Sequence, residues 1–416
     1  MYPQKKLKNM RCRHCSNELK HVFLNLGIAP PSNAYLSKED LEKPEKKFPL
    51  NIFVCEKCWL VQTEDFSKSD ELFTKDYAYF SSVSSSWLRH AENYSDMITK
   101  RLNLNKDSFV LEIASNDGYL LKNFVQKNIP CLGIEPTKST AKAAEEIGIP
   151  VIREFFGKDF AQHLIEEKGQ ADLIIGNNVY AHVPDINDFT KGLKIALKPG
   201  GTITLEFPHL LNLIKYNQFD TVYHEHYSYL SLLSVSRIFQ KAGLRIYDVE
   251  ELPTHGGSLR VYGCHIDDLK QTEKKVVKLI EREEEFGLKD ISFYLKFQKK
   301  ADQIVQKLND FLKSEKSKGK RIAAYGAAAK GNTLLNYGEI DNELVSFVCD
   351  AAPSKQGKYM PGSHIPILHP SKMSDLKPDW VLILPWNLEK EITRQQSHVR
   401  EWGGKFLVSI PELKII

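Results

Sequence analysis

Apolar and polar positions alternate along much of the chain in a strand, loop and helix order that predicts an α/β protein. Buried strands are predicted at SFVLEIASNDGYLLKNF, which continues into a polar loop and a helix, and at CLGIEP and ADLIIGNN. Three more strands are predicted at LKPGGTITLEF, GLRIYDVEEL and SLRVYGCHI. This order predicts a central doubly wound, Rossmann-like sheet that binds its ligands along the carboxyl edge of the strands.

The same plan returns near the C-terminus, after a charged helical stretch. Residues 269–318 include KKVVKLIEREEEF and KKADQIVQKLNDFLKSEKSKGKR, which predict helices with solvated faces that join two lobes. RIAAYGAAAKGNTLL then predicts a strand, a loop of small residues and a helix, and further strands are predicted at LVSFVCD, DWVLILPW and KFLVSI. We therefore expect a second Rossmann-like lobe.

Four cysteines near the N-terminus form two CxxC turns, RCRHC and VCEKC, which contain Cys12, Cys15, Cys55 and Cys58. Each turn lets two thiolates face one ion, so the pair predicts a structural zinc ion in a tetrahedral, closed shell. Predicted strands at HVFLNLG and FPLNIFV bring the turns together, and the ion then stabilises a module with little core. Alternatives are disulfides, two redox pairs, or His14 as a substitute ligand; without an export signal, disulfides are disfavoured.

The composition limits the kinds of protein and partner that are compatible with this chain. The chain has 416 residues, more than one core usually serves, and is 42% hydrophobic and 26% charged, as soluble globular proteins are. Its 57 basic and 53 acidic residues nearly balance, so nucleic acid is not demanded as a partner. No signal peptide or membrane-length apolar stretch is present, and we expect a cytoplasmic protein without a membrane partner. The expected domains are 1–75 (zinc-binding), 76–268 (central sheet) and 269–416 (C-terminal lobe).

The loop after the first central strand indicates the cofactor. A dinucleotide requires GxGxxG, but Ala114–Gly118 contains a single glycine, so NAD fits poorly. S-adenosylmethionine (SAM) has no pyrophosphate, and an Asn- and Asp-rich loop can bind its amino acid end. Glu135 stands 23 residues beyond Glu112, close to the spacing at which an acidic side chain meets ribose hydroxyls. Alternatively, Asn116 and Asp117 cap the helix that follows.

The segment FDTVYHEHYSYLS, residues 219–231, carries the densest set of titratable groups. It places Tyr223, His224, Glu225, His226 and Tyr227 just after the predicted strand TITLEF, and such groups at a carboxyl edge indicate chemistry. Three other interpretations remain: a metal site made by the two histidines, a helix start with Glu225 near its N-terminus, and ordinary core packing.

The ordered set of motifs resembles one family, the nucleotide-sugar 3-C-methyltransferases. The motifs are CxxC…CxxC, LEIASNDGYLL, GIEPTKS, NNVYAHVPD, LKPGG, YHEHYSYLS, THGGSLR and YGAAAKGNTLLNY, and they extend from Cys12 to about Pro411. The family is a class I SAM-dependent one, with an N-terminal four-cysteine zinc-binding domain and a C-terminal Rossmann-like domain. Its members methylate carbon 3 of 4-keto-6-deoxy sugars. The first methyltransferase motif departs from the wider class, which more often has several glycines there.

The resemblance implies the cofactor contacts. The residues implied around the methionine end are Glu112, Asn116, Asp117 and Gly118. Glu135 is implied to hold the ribose, and Asn177 and Asn178 to lie beside the cofactor. Tyr77 and Tyr79 resemble residues that cover the cofactor, although two tyrosines at this spacing are also typical of one strand face.

The catalytic expectations follow from carbon methylation, which requires removal of a proton beside the sugar ketone. Following the family, His226 is the expected base, and a histidine titrates in a suitable range. Glu225 is expected to orient it or to bind a sugar hydroxyl. Tyr223 and His182 are candidate donors to the ketone oxygen; alternatively, His182 is a satisfied loop histidine.

The substrate is expected to carry a dTDP or GDP handle. The GAAAKGN loop with Lys330 is a candidate clamp for its pyrophosphate, with a purely structural loop as the alternative. In THGGSLR, Arg260 is a candidate phosphate contact and Ser258 a candidate substrate contact, with a tight turn nearly as plausible. We expect a monomer. Rival functions are methylation of oxygen or nitrogen in another small molecule and, less favoured, a zinc-containing RNA methyltransferase.

Overall fold

The computed structural model describes residues 10–64 and 80–416, and three sheets organise them. The N-terminal sheet begins with three antiparallel strands, β1 (His21–Ala29), β2 (Phe48–Val54) and β3 (Val61–Thr63). The two predicted strands of this module are therefore confirmed. Within the described ranges, no helix combines the length and apolar character needed to cross a membrane.

The central region follows in alternating order. Its elements are α1 (Ser85–Leu102), β4 (Val110–Ile113), α2 (Lys122–Gln126), β5 (Cys131–Ile134), α3 (Lys138–Glu146), β6 (Val151–Ile152), α4 (Lys158–Lys168), β7 (Ala171–Asn177), α5 (Ile186–Ala196), β8 (Leu197–Pro208), α6 (Leu210–Lys215), β9 (Ser228–Tyr229), α7 (Leu232–Ala242), β10 (Leu244–Leu252) and β11 (Ser258–His265). The predicted order of strands and helices is confirmed.

Seven of these strands form the central sheet in the order β10-β11-β8-β7-β4-β5-β6. β11 runs antiparallel to both of its neighbours, and the other pairings are parallel. β4 is buried along its whole length, which explains its nearly continuous apolar sequence. The strand order reverses between β4 and its neighbours β5 and β7, so the loop after β4 lies at a topological switch point, where ligands of such sheets bind.

β9 belongs to a different sheet from the strands around it in sequence. It pairs antiparallel with β3 and becomes the fourth strand of the N-terminal sheet, in the order β1-β2-β3-β9. Residues 219–231, which we expect to carry catalytic groups and call the catalytic segment, thus reach the zinc module by backbone pairing.

The C-terminal region begins with helices and ends with a third sheet. Its elements are α8 (Lys274–Glu283), α9 (Ile291–Tyr294), α10 (Phe297–Ser317), β12 (Ile322–Tyr325), α11 (Ala329–Tyr337), β13 (Val348–Cys349), β14 (Ile367–Leu368), α12 (Lys372–Leu376), β15 (Trp380–Ile383), α13 (Glu389–Gln395), β16 (Lys405–Val408) and β17 (Lys414–Ile415). The order is β14-β13-β12-β15-β16-β17, parallel except for β17. The predicted second Rossmann-like lobe is confirmed, with its own switch point after β12.

The three regions share apolar core rather than meeting at polar surfaces. One cluster combines Leu24 of β1, Leu210 of α6, Leu308 of α10 and Ile322 of β12. α10 exposes its lysines as predicted but buries its other face in this cluster. The fold therefore holds the N-terminal module, the catalytic segment and the C-terminal lobe in fixed contact.

The N-terminus of α7, directly after the catalytic segment, is fixed by polar groups. Ser231 forms a capping box with Ser234. The fully buried Glu283, at the end of α8, accepts hydrogen bonds from the amides of Leu232 and Leu233 at 2.7 and 2.8 Å. Its carboxylate also contacts Nε2 of the equally buried His209 at 2.7 Å. A carboxylate on the first amides of a helix is favoured by the helix dipole.

Candidate active site and metal centre

The four predicted cysteine ligands lie together. Their Sγ atoms are all within 4.8 Å of one another, with Cys12 and Cys58 3.4 Å apart and Cys15 and Cys55 3.5 Å apart. Four thiolates at such separations fit the tetrahedral shell of a structural zinc ion. His14 lies outside this cluster because its Nδ1 binds the Asn187 side chain at 2.8 Å.

The polar loop after β4 folds back on itself at the switch point. Ala114, Asn116 and Gly118 have positive φ values of 56°, 51° and 76°. A Cβ on Gly118 would lie 2.8 Å from Ile149 Cγ1, so this position requires glycine. The Asn116 and Asp117 side chains accept hydrogen bonds from the amides of Ser81 and Ser82, both at 3.0 Å. They thus bind the segment before α1 instead of capping α2, which has no side-chain cap.

Three buried carboxylates gather beside this loop. Burial, and then the charges of Glu135 and Asp117, hold the pKa of Glu112 well above its usual range. Glu135 accepts hydrogen bonds from the amides of Asn116 and Thr137, both at 2.9 Å. Among the described residues, Glu112 Oε2 and Asp117 Oδ1 have no hydrogen-bond partner. Acidic groups in this state require a cation or donors from a ligand.

Further buried polar atoms lie at the end of β7, next to β4 in the sheet. Both side-chain amide atoms of Asn177 and Oδ1 of Asn178 have no partner in the described structure. Asn178 Nδ2 donates to Nε2 of His255 at 3.2 Å. The donors and acceptors along this edge fit the ammonium, carboxylate and hydroxyl groups of SAM. The proposed covering residues Tyr77 and Tyr79 lie outside the described residues.

The segment after α6 brings two imidazoles together. His226 Nδ1 donates to the Thr221 carbonyl at 3.0 Å, and His182 Nδ1 donates to the Glu225 carbonyl at 2.8 Å. The two ring centroids are 4.6 Å apart, and the Tyr223 ring lies 4.0 Å from that of His226. In neutral imidazoles these bonds place the proton on Nδ1 and leave a lone pair on each Nε2.

Burial determines the charge state of the pair. It lowers the pKa of His182 to about 4 and that of His226 well below its usual range, the latter also because His182 lies beside it. Both rings are therefore neutral near pH 7 and their Nε2 atoms are acceptors. In this tautomer His182 accepts at Nε2, whereas the expected role was that of a donor.

Glu225 and His224, next to His226, have different surroundings. Glu225 is buried, which raises its pKa, and its Oε1 accepts a hydrogen bond from Asn33 Nδ2 at 3.1 Å. His224 Nε2 lies 3.2 Å from the Phe48 carbonyl. The rings of His224 and His226 bond different carbonyls, those of Phe48 and Thr221, and within the described ranges no cluster of three or more metal-type ligands includes them. This disfavours a metal held by the two histidines.

Lys330 of the C-terminal lobe approaches the same segment. Its Nζ donates to Asn387 Oδ1 at 2.7 Å and lies 4.5 Å from the centroid of the Trp386 ring. Trp386 Nε1 in turn donates to Asp220 Oδ2 at 2.7 Å. Burial raises the pKa of Asp220 to about 6, although the charge of Lys330 opposes this effect. The loops after β12 and β15 thus close over the start of the catalytic segment.

Arg260 and Ser258, the expected substrate contacts, have partners within the protein. Arg260 is 4% exposed, and its guanidinium binds Glu206 at 2.9 Å and Glu250 at 3.2 Å. Two carboxylates therefore already neutralise the cation that was expected to meet a phosphate. Ser258 is fully buried and donates to the Thr254 carbonyl at 3.0 Å, which favours the tight-turn interpretation.

Sequence reasoning missed Asn33, Asp220, His255 and Trp386. His255 has a φ of 53° within the THGG turn, and burial lowers its pKa to about 4. A Cβ on the following Gly256 would lie 2.3 Å from the Trp386 ring, so a glycine at this close approach was the available signal. Asn33 and Trp386 come from distant loops without a periodic pattern, and their sequence contains no signal for this placement.

Comparisons with known proteins agree with this architecture. Family models match a zinc-binding domain at residues 12–73, a methyltransferase domain at 87–249 and a C-methyltransferase C-terminal domain at 253–411. The C-methyltransferase NovU of Streptomyces niveus is 32% identical over 405 residues, which cover 97% of this chain and 96% of NovU.

Solved structures match the central region at low similarity. Magnesium protoporphyrin IX methyltransferase from Synechocystis PCC 6803, with bound SAM, is 13% identical, with a TM-score of 0.33, and the match covers 42% of this chain and 78% of that one. The PH0226 protein from Pyrococcus horikoshii OT3 is 14% identical, with a TM-score of 0.36, and the match covers 48% of this chain and 100% of that one.

The three domain matches and the full-length relative agree on one class of enzyme. The chain is a SAM-dependent methyltransferase with a zinc-binding domain, and it belongs to the family of C-methyltransferases that includes NovU.

Proposed function

We propose that this C-methyltransferase transfers the methyl group of SAM to carbon 3 of a nucleotide-linked 4-keto-6-deoxy sugar. The observation that carries the proposal is the neutral His182–His226 pair, which lies beside the buried Glu225. A carbon beside a ketone becomes a nucleophile only after a proton is removed, so methylation of that carbon requires such a base.

The base in this proposal is Nε2 of His226. Its Nδ1–H is held by the Thr221 carbonyl at 3.0 Å, so the lone pair at the other nitrogen keeps one direction. Nε2 takes the proton from carbon 3, and the electron pair of the C–H bond forms an enolate with the ketone at carbon 4. Because the site is buried, the imidazole is available in its neutral form near pH 7.

Stabilisation of the enolate oxygen requires a donor. The Tyr223 hydroxyl is the candidate, because its ring lies 4.0 Å from the ring of the base. His182, with an acceptor at Nε2, is assigned to a sugar hydroxyl instead, and Glu225 binds another hydroxyl through its unpartnered Oε2.

The cofactor residues are proposed from their unmet hydrogen-bonding capacity. Glu112 and Asp117 would hold the ammonium group, Glu135 the ribose, and Asn177 and Asn178 the remaining polar groups. When bound, SAM supplies an electrophilic methyl group. The chain's own contribution is to hold the nucleophilic carbon in line with it in a site from which water is excluded.

The C-terminal lobe is proposed to bind the dTDP or GDP handle. The loop after β12 lies at a switch point and carries Lys330, whose half-buried side chain donates through its ammonium group to Asn387 near the catalytic segment. A diphosphate here would meet that ammonium and the start of α11. We also infer that the enzyme acts as a monomer in the cytoplasm. The cytoplasmic location is supported by its seven cysteines, all within the described residues, none of which forms a disulfide.

The test is a panel of dTDP- and GDP-linked 4-keto-6-deoxyhexoses, incubated with SAM and followed by mass spectrometry. The expected product gains one methyl group that is stable to acid and base. The matching 6-deoxyhexoses with a 4-hydroxyl group serve as controls and should stay unmethylated, because they have no acidic carbon. Methylation of the controls, or a methyl group that NMR places on oxygen or nitrogen, would contradict carbon methylation and favour the rival oxygen or nitrogen methyltransferase.

A further inference from the structure

A loop of the N-terminal module enters the catalytic region. Residues 30–37, called here the N-terminal loop, connect β1 with the strand-free stretch before β2. Asn332 of the C-terminal lobe donates to the Ser32 carbonyl at 2.6 Å, and the Tyr35 hydroxyl donates to the Ala327 carbonyl at 2.5 Å. Leu36 exchanges backbone hydrogen bonds with Tyr359 at 3.0 and 2.9 Å. The loop is therefore held on both sides of Asn33.

Asn33 uses this fixed position to reach the catalytic segment. Its Nδ2 donates to Oε1 of Glu225 at 3.1 Å. Glu225 is 1% exposed, and in the described part of the chain its other oxygen, Oε2, has no hydrogen-bond partner. Burial raises the pKa of this carboxyl, and hydrogen bonds from Asn33 oppose that rise. Among the residues that the structure describes, the side chain that donates to Glu225 thus comes from the zinc module.

We infer that Asn33 is a positioning residue, which holds the Glu225 carboxyl group in place through Oε1 and directs Oε2 toward the substrate. The inference rests on the proposed function for the role of Oε2, but the Asn33–Glu225 link itself does not. A buried carboxylate depends on its hydrogen-bond donors for both its orientation and its charge, and the Asn33 side chain supplies one of them, beside backbone hydrogen bonds of Glu225 and Asn33. The zinc module then serves the reaction, because it holds the loop from which Asn33 projects.

The test replaces Asn33 in the full-length, zinc-loaded enzyme. Removing a donor from a carboxylate destabilises its charged form, so Asn33→Ala should raise the pKa of Glu225 by about one unit. ¹³C NMR of carboxyl-labelled glutamates measures this pKa, with the Glu225 signal assigned by its loss in Glu225→Gln. The matched control is Asn51→Ala, which removes a similar amide–carboxylate bond of 3.2 Å, to Glu64, in the same module.

Activity provides a second readout. Because the ionised carboxylate is the working form, the acid limb of the kcat profile should move about one pH unit higher in Asn33→Ala, and kcat measured on that limb should fall about tenfold. Zinc content should remain that of the wild type. If Asn33→Ala does not fold, Asn33→Asp keeps the shape and places an acceptor against Glu225, so it should raise the pKa further.

Unchanged titration of Glu225 in folded Asn33→Ala or Asn33→Asp would overturn the inference. A raised pKa with the activity profile of the wild type would also overturn it, because Asn33 would then act on a carboxylate that catalysis does not use. If the pKa rises but no 4-keto sugar is methylated even by the wild type, the Asn33–Glu225 link stands and the proposed substrate fails.

Discussion

His226→Ala removes the imidazole that we propose as the base. General base catalysis contributes about 10²- to 10⁴-fold, which corresponds to roughly 3–5 kcal/mol of the barrier. The structure favours the upper half of this range. The ring is buried beside Tyr223, so water reaches the position of Nε2 poorly and cannot readily replace the imidazole as a base. The deletion also leaves the Thr221 carbonyl without its donor, at a cost of about 1–3 kcal/mol in folding stability.

The assay separates proton removal from methyl transfer. With S-adenosylhomocysteine in place of the methyl donor, the wild-type enzyme should exchange the proton at carbon 3 for deuterium from D₂O, as followed by proton NMR. His226→Ala should lose this exchange in parallel with turnover. His182→Ala deletes a second buried imidazole, 4.6 Å away, and should retain most of the exchange.

The pH dependence supplies a further condition. Burial lowers the pKa of His226, so the neutral, active form persists until the pH falls below the usual value of 6.5. We therefore expect the rate of exchange to stay constant from pH 7 to pH 8 and to decline only below pH 6.5. Exchange that persists within a few-fold in His226→Ala would refute the assignment, and a parallel loss in His182→Ala would transfer the role to that ring.

The remaining predictions concern stability, charge and the metal. Glu283→Gln should lower the free energy of unfolding by about 3 kcal/mol, because a buried carboxylate with three donors is lost; urea denaturation showing less than about 1 kcal/mol would contradict this. Trp386→Phe removes a donor from Asp220, whose pKa is already raised to about 6, and should raise that pKa further. A buried carboxyl group with a raised pKa costs stability as the pH rises through that pKa, so the variant should lose more stability than the wild type. Between pH 5 and pH 8, the free energy of unfolding of the variant should fall by about 1.4 kcal/mol more than that of the wild type, for a pKa rise of about one unit. Equal falls in the two proteins would exclude an effect of Trp386 on Asp220. Zinc removal by a chelator, or Cys55→Ser, should abolish methyl transfer along with the compact N-terminal module, and a metal-free enzyme with full activity would refute that dependence.

Local patterns were sufficient to predict the two Rossmann-like sheets and the cysteine cluster. β4 and its polar loop could be predicted from the segment LEIASNDG, because both are determined by residues adjacent in sequence. The two CxxC turns meet because the strands next to them pair, as their apolar patterns predicted. The site residues Glu225, His226 and His182 are likewise brought together.

Long-range pairing was not predictable in the same way. YHEHYSY gives no sign that Ser228 will pair with Gln62 in the zinc module, because its alternation is compatible with any exposed strand edge. Arg260 was expected at a phosphate because its sequence does not reveal that Glu206 lies opposite it on β8. Asn33 and Trp386 act through contacts with residues far along the chain, and no local period marks them.

Because β9 follows β3 only after a long stretch of chain, the edge of β3 stays unpaired while the chain is being translated. β3 is complete at Thr63, but its partner begins at Ser228. At about 5–20 residues per second, translation leaves this strand edge open for on the order of ten seconds or more. During that time its free amide and carbonyl groups can template pairing with other nascent chains. Early capture of zinc by the cysteine turns would hold the first three strands in register while synthesis of the fourth is completed.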